Sequence, residues 1–150
     1  MLCMEKVVMR MLAIATALVL AATAFTVQAQ DRTPSPKGAK VFIVSPKNGA
    51  TVTNPVTVKF GIKGMTLAPA GTKQENSGHH HLLIDTDPPA DLSQPLPAIP
   101  DKVVHFGKAQ TETTVTLPPG KHTLQLLLAD DKHIPHNPPV MSKKITVTVQ

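Results

Sequence analysis

The sequence predicts an all-β fold, an antiparallel sandwich of immunoglobulin type with about seven strands. Apolar and polar residues alternate with a period of two in several short segments, and turn signals separate these segments roughly every 8–12 residues. No segment has the apolar spacing of an amphipathic helix. Fifteen prolines against eight glycines also favour short strands joined by stiff turns. With 41% hydrophobic residues, the chain is able to bury a core.

The first 29 residues have the features of a secretory signal peptide. Lys6 and Arg10 form a positive n-region, an apolar run follows over residues 11–25, and Val27-Gln28-Ala29 offers small residues for cleavage. The run is shorter than the roughly 20 apolar residues that a membrane-spanning helix needs. We therefore expect cleavage after Ala29, a periplasmic or secreted protein, and no stable membrane anchor after cleavage.

Residues 30–40 contain Thr33-Pro-Ser-Pro36 and Lys37-Gly38 and have little apolar surface to bury, which predicts a flexible leader. The sandwich domain is then expected over residues 41–150. Cys3 is the only cysteine, and it precedes the apolar run. Because it leaves with the signal peptide, the mature domain is expected to have neither a disulfide nor a reactive thiol.

The first predicted strands come directly after this leader. Val41–Val44 is a short apolar strand that ends at Ser45-Pro46, and Asn48-Gly49 is a strong turn signal. Residues 56–62 alternate between apolar side chains and threonine, lysine or glycine, which predicts a half-buried strand. The polar, glycine-containing segment 64–78 is expected to be a loop.

His79–Asp85 is the third clear strand, and a proline-rich excursion follows it. The prolines of 87–90 and 94–100 exclude an interior strand there. Val103–Phe106 is then short and extended. A further strand is expected around Val115 and Leu117.

The last elements include the longest strand. Pro118-Pro-Gly120 turns the chain, after which His122, Leu124, Leu126 and Leu128 share one face. Residues 130–141 are predicted to form a second proline-rich loop. Ile145–Val149 closes the domain as an alternating strand.

Histidine is the residue type that most suggests chemistry, and all seven histidines follow Ala29. On a strand, His79 and His81 point to one face with Cα atoms roughly 6.5–7 Å apart, so both rings are able to reach one metal ion. A polar network that braces the loops is an alternative for this pair. His80 points the other way, with Leu82 and Ile84, and His122 shares a face with leucines, which favours a hydrogen-bonded structural histidine at both positions.

The other candidate ligands are scattered. His133 and His136 lie together in the second proline-rich loop, where loop bracing or partner contact is an alternative to ligation. His105 is a weaker candidate on a short strand. Met65 and Met141 are also weaker candidates, because gap-filling is the more usual role of methionine, although thioether and imidazole together suit copper.

The segment Gly78-His-His-His-Leu-Leu-Ile-Asp85 resembles the domain-of-unknown-function 4399 family, exported bacterial domains of unassigned activity. The resemblance extends over roughly residues 41–149. It implies a single exported domain and emphasises the histidines, but it brings no reaction with it. Further matching segments are His105-Phe-Gly-Lys108, Pro119-Gly-Lys-His-Thr-Leu-Gln-Leu126, Ala129-Asp130 with His133 and Pro135-His136, and Met141-Ser-Lys143.

Composition and motifs argue against several classes of function. Aromatic residues make up 3% of the chain, with no Trp or Tyr, and the lysines behind the net charge of +5 are scattered, so no nucleic-acid surface is expected. There is no Gly-x-Ser-x-Gly elbow, no thiol in the mature chain and no phosphate-binding glycine loop. We therefore expect that the protein is not an enzyme.

Three functions are compatible with these patterns. The first is a periplasmic binding module that holds a transition metal, copper favoured over zinc, through His79, His81 and one or both loop histidines, His133 and His136. The second is a structural or protein-interaction domain whose histidines brace loops, with residues 94–100 facing an unidentified periplasmic protein. The third is a cupin-like metalloenzyme, which requires His122 beside His79 and His81.

Overall fold

The alternating segments form nine strands in the computed structural model, which describes residues 31–150. The predicted signal peptide lies outside the described residues. Within residues 31–150, no helix has the length and apolar character needed to cross a bilayer. The strands are β1 (Lys40–Ser45), β2 (Thr51–Val52), β3 (Val56–Lys63), β4 (Thr66–Leu67), β5 (Ser77–Ile84), β6 (Val103–His105), β7 (Glu112–Val115), β8 (Gly120–Ala129) and β9 (Ile145–Val149).

The strands form two sheets. The three-stranded sheet has the order β1-β3-β7 and is antiparallel throughout. The larger sheet has the order β2-β9-β8-β5-β4, and β6 also pairs with β5. One edge of β5 is held along its length by β8, while the other edge pairs first with β4 and then with β6. This double pairing fixes β5, the strand that carries three consecutive histidines, in the middle of the sheet.

The predicted all-β sandwich is confirmed, and each predicted strand is present. The structure adds β2 and β4, which are only two residues long and pair in parallel with β9 and β5. A pairing of two residues is too short to produce a periodic pattern, so neither strand was expected. The segment 64–78, predicted as a loop, therefore contains β4 and the start of β5.

The main core lies between the two sheets. Val58 and Phe60 of β3 face Leu82 of β5 and Leu126 of β8, and all four side chains are buried. Their neighbours Thr57 and Lys59 in β3 are exposed, as the alternating pattern predicts. Burial of this shared apolar face is the main term that holds the sheets together.

A second, smaller core covers the opposite face of the large sheet. Leu83 of β5 and Leu127 of β8 pack under Leu96, which belongs to the proline-rich excursion between β5 and β6. The backbone N–H of Leu96 donates to the carbonyl of His133, 2.9 Å away. The excursion therefore forms a cover over the outer face of β5 and β8, which explains why every residue of β5 is buried.

The described part of the predicted leader is not free of the domain. Pro34 forms a parallel β-bridge with Asn137, and the N–H of Ser35 donates to the Asn137 carbonyl at 3.0 Å. The Arg32 guanidinium donates to the carbonyls of Pro135 and His136. The prediction of a flexible leader is thus corrected over residues 32–35, because backbone and polar groups, rather than apolar burial, attach this segment to the loop after β8.

Candidate metal centre

Strand alternation places two of the three consecutive histidines on the outer face of the large sheet. His79 lies opposite Ala129 and His81 lies opposite Leu127, which are outer-face residues of β8. His105 of β6 is the direct partner of His81 across the β5–β6 ladder. Directly paired residues share a face of a sheet, so the His105 ring joins the other two.

The fourth ring comes from the loop after β8. The buried carboxylate of Asp130 accepts hydrogen bonds from the N–H groups of Lys132 (2.9 Å) and Ile134 (3.0 Å), which close a tight turn around His133. His133 itself has a φ of 66°, in the left-handed region that few non-glycine residues occupy. This conformation brings its Nε2 to 3.2 Å from the Nε2 of His105.

These four side chains, His79, His81, His105 and His133, form one histidine cluster. The six distances between ring centroids are all between 4.7 and 5.9 Å. One nitrogen from each of His79, His81 and His105 lies within 4.8 Å of the others. Two nitrogens that bind one ion at about 2.0–2.1 Å lie about 3.3 Å apart in tetrahedral geometry. The histidine cluster is therefore compatible with a bound metal ion.

The inner part of the histidine cluster consists of His79 and His81, and most of its ring nitrogens have no hydrogen-bond partner among the described residues. Both ring nitrogens of His79 and the Nδ1 of His81 are buried without a partner among the described residues. Burial, together with the neighbouring cluster histidines, lowers the pKa of His79 to about 4 and that of His81 to about 3. At neutral pH these rings are uncharged, so their nitrogen lone pairs are free for an electrophile.

The outer part of the histidine cluster borders a cavity. His105 is exposed and His133 is half-buried, whereas His79 is fully buried. Burial and the nearby His133 lower the pKa of His105 as well. A cavity of about 120 Å³ lies against the rings of His81, His105 and His133, and residues of the excursion form its other wall. An ion is thus able to reach the histidine cluster from this side.

Gly107 makes room for the His105 ring. A Cβ atom built on Gly107 would lie 2.4 Å from the Cε1 and 2.9 Å from the Nε2 of His105. Both distances are shorter than a van der Waals contact, so a side chain here requires the ring to move. The glycine that follows His105 by two residues therefore belongs to the architecture of the site, which the sequence did not indicate.

The structure brings together three of the four main candidates, His79, His81 and His133, and adds His105. In the sequence, His105 was only a weaker candidate because it is a single histidine on a three-residue strand. Its role depends on the register between β5 and β6, which places it opposite His81. Sequence spacing alone does not show that register.

The expectation that His136 joins these rings is corrected by its position. His136 lies beside Gly78, at 3.0 Å from the Cβ position of that glycine, together with Leu128. Gly78 and His79 point to opposite faces of β5, so His136 lies on the side of the main core. Its Nε2 donates to the Ser77 carbonyl at 3.1 Å.

The two methionines are also outside the histidine cluster. Met65 is buried in the main core, on the other face of the large sheet. Met141 forms a β-bridge with Leu127 on the side of β8 away from β5, and its side chain is 38% exposed in a groove beside Lys40. The expectation that either methionine sulfur binds the metal together with the imidazoles is therefore wrong. Met65 instead fills space in the main core, which is the more usual role of methionine.

His80 occupies the core, as its alternation with Leu82 predicts, but the hydrogen bonds expected for it are not formed with the described residues. Its ring is fully buried with its centroid 5.3 Å from that of Phe60, and both ring nitrogens lack a partner among the described residues. Burial lowers its pKa to about 4. The ring is thus a neutral group that loses its hydrogen bonds to water when the chain folds.

Replacing His80 with leucine is expected to raise the free energy of unfolding at neutral pH by about 1–3 kcal/mol. Leucine keeps an apolar contact with Phe60 and removes two buried, unpaired nitrogens. Urea unfolding of the two proteins without metal measures the difference. A clear loss of stability in the His80→Leu variant would contradict this reasoning, since it would mean that the nitrogens are hydrogen-bonded in the folded protein.

His122 is a structural histidine, as its position on the apolar face of β8 predicted. Its Nδ1 and the Asp85 carboxylate are 2.6 Å apart, and its Nε2 lies 2.7 Å from the Pro118 carbonyl. Residues 122 and 127 are five positions apart on β8, or roughly 16 Å by strand rise, and Leu127 is the partner of His81. The cupin-like arrangement, which requires His122 beside His79 and His81, is therefore not formed.

Comparison with known proteins gives a family but no activity. A family model described as "Domain of unknown function (DUF4399)" matches residues 58–150. No curated protein and no solved structure matches the chain. The matched segment extends from β3 to the end of β9, so it includes all four residues of the histidine cluster.

Proposed function

Because the chain belongs to the DUF4399 family of domains of unknown function, its function has to be inferred from the histidine cluster, and we propose that the protein is a non-catalytic metal-binding module of the periplasm. The histidine cluster holds one transition metal ion, copper in preference to zinc. The periplasmic location rests on the signal-peptide features of residues 1–29.

The observation that carries the proposal is that the unpartnered nitrogens of His79 lie beside three other imidazole rings, whereas those of His80 lie in the main core against Phe60. The His79 ring is fully buried, and neither nitrogen has a hydrogen-bond partner among residues 31–150. A buried polar atom without a partner costs about 1–3 kcal/mol, so such atoms are uncommon unless something binds them. The centroids of the three other rings of the histidine cluster each lie 4.9 Å from that of His79, and a metal ion held between the four rings would give a nitrogen of His79 a ligand bond.

The type of donor supports copper. All four donors are imidazoles, a set that suits copper, zinc, iron and nickel, and affinity for nitrogen ligands is highest for Cu²⁺ in the divalent series. No thiolate is available, because Cys3 is the only cysteine of the chain and belongs to the predicted signal peptide. The neutral state of the rings also favours binding, because no proton has to be displaced at neutral pH.

The alternative in which the histidines brace loops finds less support. Bracing needs hydrogen bonds from the rings to the loops, and the side-chain contact within the histidine cluster joins His105 to His133. His79 has no hydrogen-bond partner among residues 31–150. The loops are held instead by backbone contacts, among them the hydrogen bond from Leu96 to His133.

Calorimetric titration of chelator-treated protein with Cu(II) and with Zn(II) tests the proposal. We expect one equivalent of Cu(II) to bind with a Kd in the micromolar range or below, and Zn(II) to bind more weakly, following the order of affinities for nitrogen ligands. Absence of saturable binding tighter than millimolar for either ion would show that the histidine cluster is not a metal site.

Replacing Gly107 with alanine is expected to weaken Cu(II) binding by about 10–100-fold, the usual effect of disturbing the surroundings of a ligand. The added Cβ displaces the His105 ring, whereas the rest of the histidine cluster stays in place. The same calorimetric titration measures the loss, and thermal unfolding of the metal-free protein serves as the control. Unchanged affinity in a folded Gly107→Ala variant would mean that His105 is not a ligand.

A further inference from the structure

The cavity beside the histidine cluster has a chemical character of its own. It has a volume of about 120 Å³, and its wall opposite the rings consists of apolar residues of the excursion, including Leu96 and Ala98. We propose that this cavity binds a small monoanion as an additional ligand of the metal ion. This inference rests on the proposed function, because the ion supplies the attraction.

The position of the cavity points to an open coordination position. His79 closes the inner side of the histidine cluster and is fully buried, whereas the cavity borders His81, His105 and His133. An ion held among the four rings therefore has the cavity on its accessible side. Because Cu(II) prefers tetragonal coordination and zinc sites are able to expand to five ligands, four imidazoles do not exhaust the positions.

The charge of the site selects an anion over a neutral ligand. No carboxylate lines the cavity, and the imidazole ligands bring no negative charge. The acidic group that acts on the histidine cluster, through His79, is Asp130. Its carboxylate is buried and accepts hydrogen bonds from the N–H groups of Lys132 and Ile134. A divalent ion bound to neutral imidazoles therefore keeps its positive charge and faces an apolar space. In such surroundings a positive ion attracts an anion strongly.

The size of the cavity limits the ligand to a few atoms. One water molecule needs about 10–15 Å³ of such space, so a cavity of about 120 Å³ has room for an ion of three or four heavy atoms. Azide has this size and a single negative charge. Its binding is a ligand exchange in which azide replaces water on Cu(II), and the copper stays in its oxidised state.

Azide titration of the protein loaded with one equivalent of Cu(II) tests the inference. A charge-transfer absorption band from azide to Cu(II) is expected to appear and to saturate, with a change in the electron paramagnetic resonance spectrum. The variant Ala98→Leu places a larger apolar side chain at a residue that lines the cavity, and we expect it to weaken azide binding at least tenfold while Cu(II) affinity stays within about threefold. Ala90→Leu, an exposed position of the same excursion outside the cavity, serves as the matched control.

The outcomes separate this inference from the proposed function. If Cu(II) binds but no azide band appears, the coordination sphere is closed and the inference is wrong while the metal site stands. If azide binds equally well to the wild type and to Ala98→Leu, the anion does not occupy the cavity, which also overturns the inference. If Cu(II) itself does not bind, the proposed function fails and the inference fails with it.

Discussion

Replacing His79 with alanine is expected to lower Cu(II) affinity by at least about 100-fold and to remove the rise in melting temperature that Cu(II) produces. His79, His81 and His105 each offer one nitrogen within 4.8 Å of the other two, so the loss of His79 leaves only two of these three nitrogens. A ligand present at 100 times its Kd stabilises a protein by about 2.7 kcal/mol, and this increment is the measurable quantity. Melting curves with and without Cu(II) determine it for each variant.

His122→Ala is the matched control for this experiment. His122 is also a histidine of the large sheet, but its ring is bonded to Asp85 and to the Pro118 carbonyl, away from the histidine cluster. We expect this variant to lose some stability and to keep the full Cu(II) increment. If His79→Ala lowers the melting temperature of the metal-free protein and wild-type protein shows no Cu(II) increment, the histidines brace the fold and do not bind metal.

Acid is expected to destabilise the metal-free protein as soon as the pH falls below about 6.5, because three buried histidines resist protonation in the folded state. Burial lowers the pKa of His79 and His80 to about 4 and that of His81 to about 3, whereas histidines of the unfolded chain titrate near 6.5. Between these values the unfolded chain binds protons that the folded chain does not. The free energy of unfolding is therefore highest above pH 6.5 and decreases as the pH falls. Each of the three histidines contributes a loss of about 1.4 kcal/mol per pH unit, which continues to about pH 4 for His79 and His80 and to about pH 3 for His81.

The combined loss is large for a domain of this size. Three such histidines lose on the order of 5 kcal/mol between pH 6.5 and pH 5, which is comparable with the whole stability of many domains, roughly 5–15 kcal/mol. Urea unfolding in buffers between about pH 7.5 and 4.5 measures the slope. Stability that stays constant over this range would contradict the prediction.

Two comparisons identify the groups behind that slope. His80→Leu is expected to reduce the proton uptake on unfolding by about one, because this core histidine titrates only in the unfolded chain. Bound Cu(II) is expected to move the acid transition to lower pH, because the metal and protons compete for the histidine cluster. Unchanged proton uptake in the His80→Leu variant would mean that His80 is already protonated in the folded state.

Strand alternation was sufficient to predict half of the histidine arrangement. A period of two separates His79 and His81 from His80, and the structure places the first two on the outer face of the large sheet and the third in the main core against Phe60. The same reasoning located the strands themselves, because each longer strand has an apolar face between the sheets. Local pattern is informative wherever a single strand decides which way a side chain points.

The rest of the histidine cluster depends on contacts between distant segments. His105 joins because of the β5–β6 register, and His133 joins because Asp130 closes a turn that holds it at a positive φ. Neither the register nor this backbone conformation follows from local spacing. His133 and His136 are equivalent candidates in the sequence, but the ring of His136, three residues further along the loop, lies on the side of the main core.

Pulsed electron paramagnetic resonance of the protein with one equivalent of Cu(II) tests the central claim most directly, since it counts the imidazoles bound to the ion. The account predicts at least three imidazoles in the wild type, one fewer in His105→Ala, and no change in His136→Ala. A spectrum with a single imidazole, or one that His79→Ala and His105→Ala leave unaltered, would contradict the account.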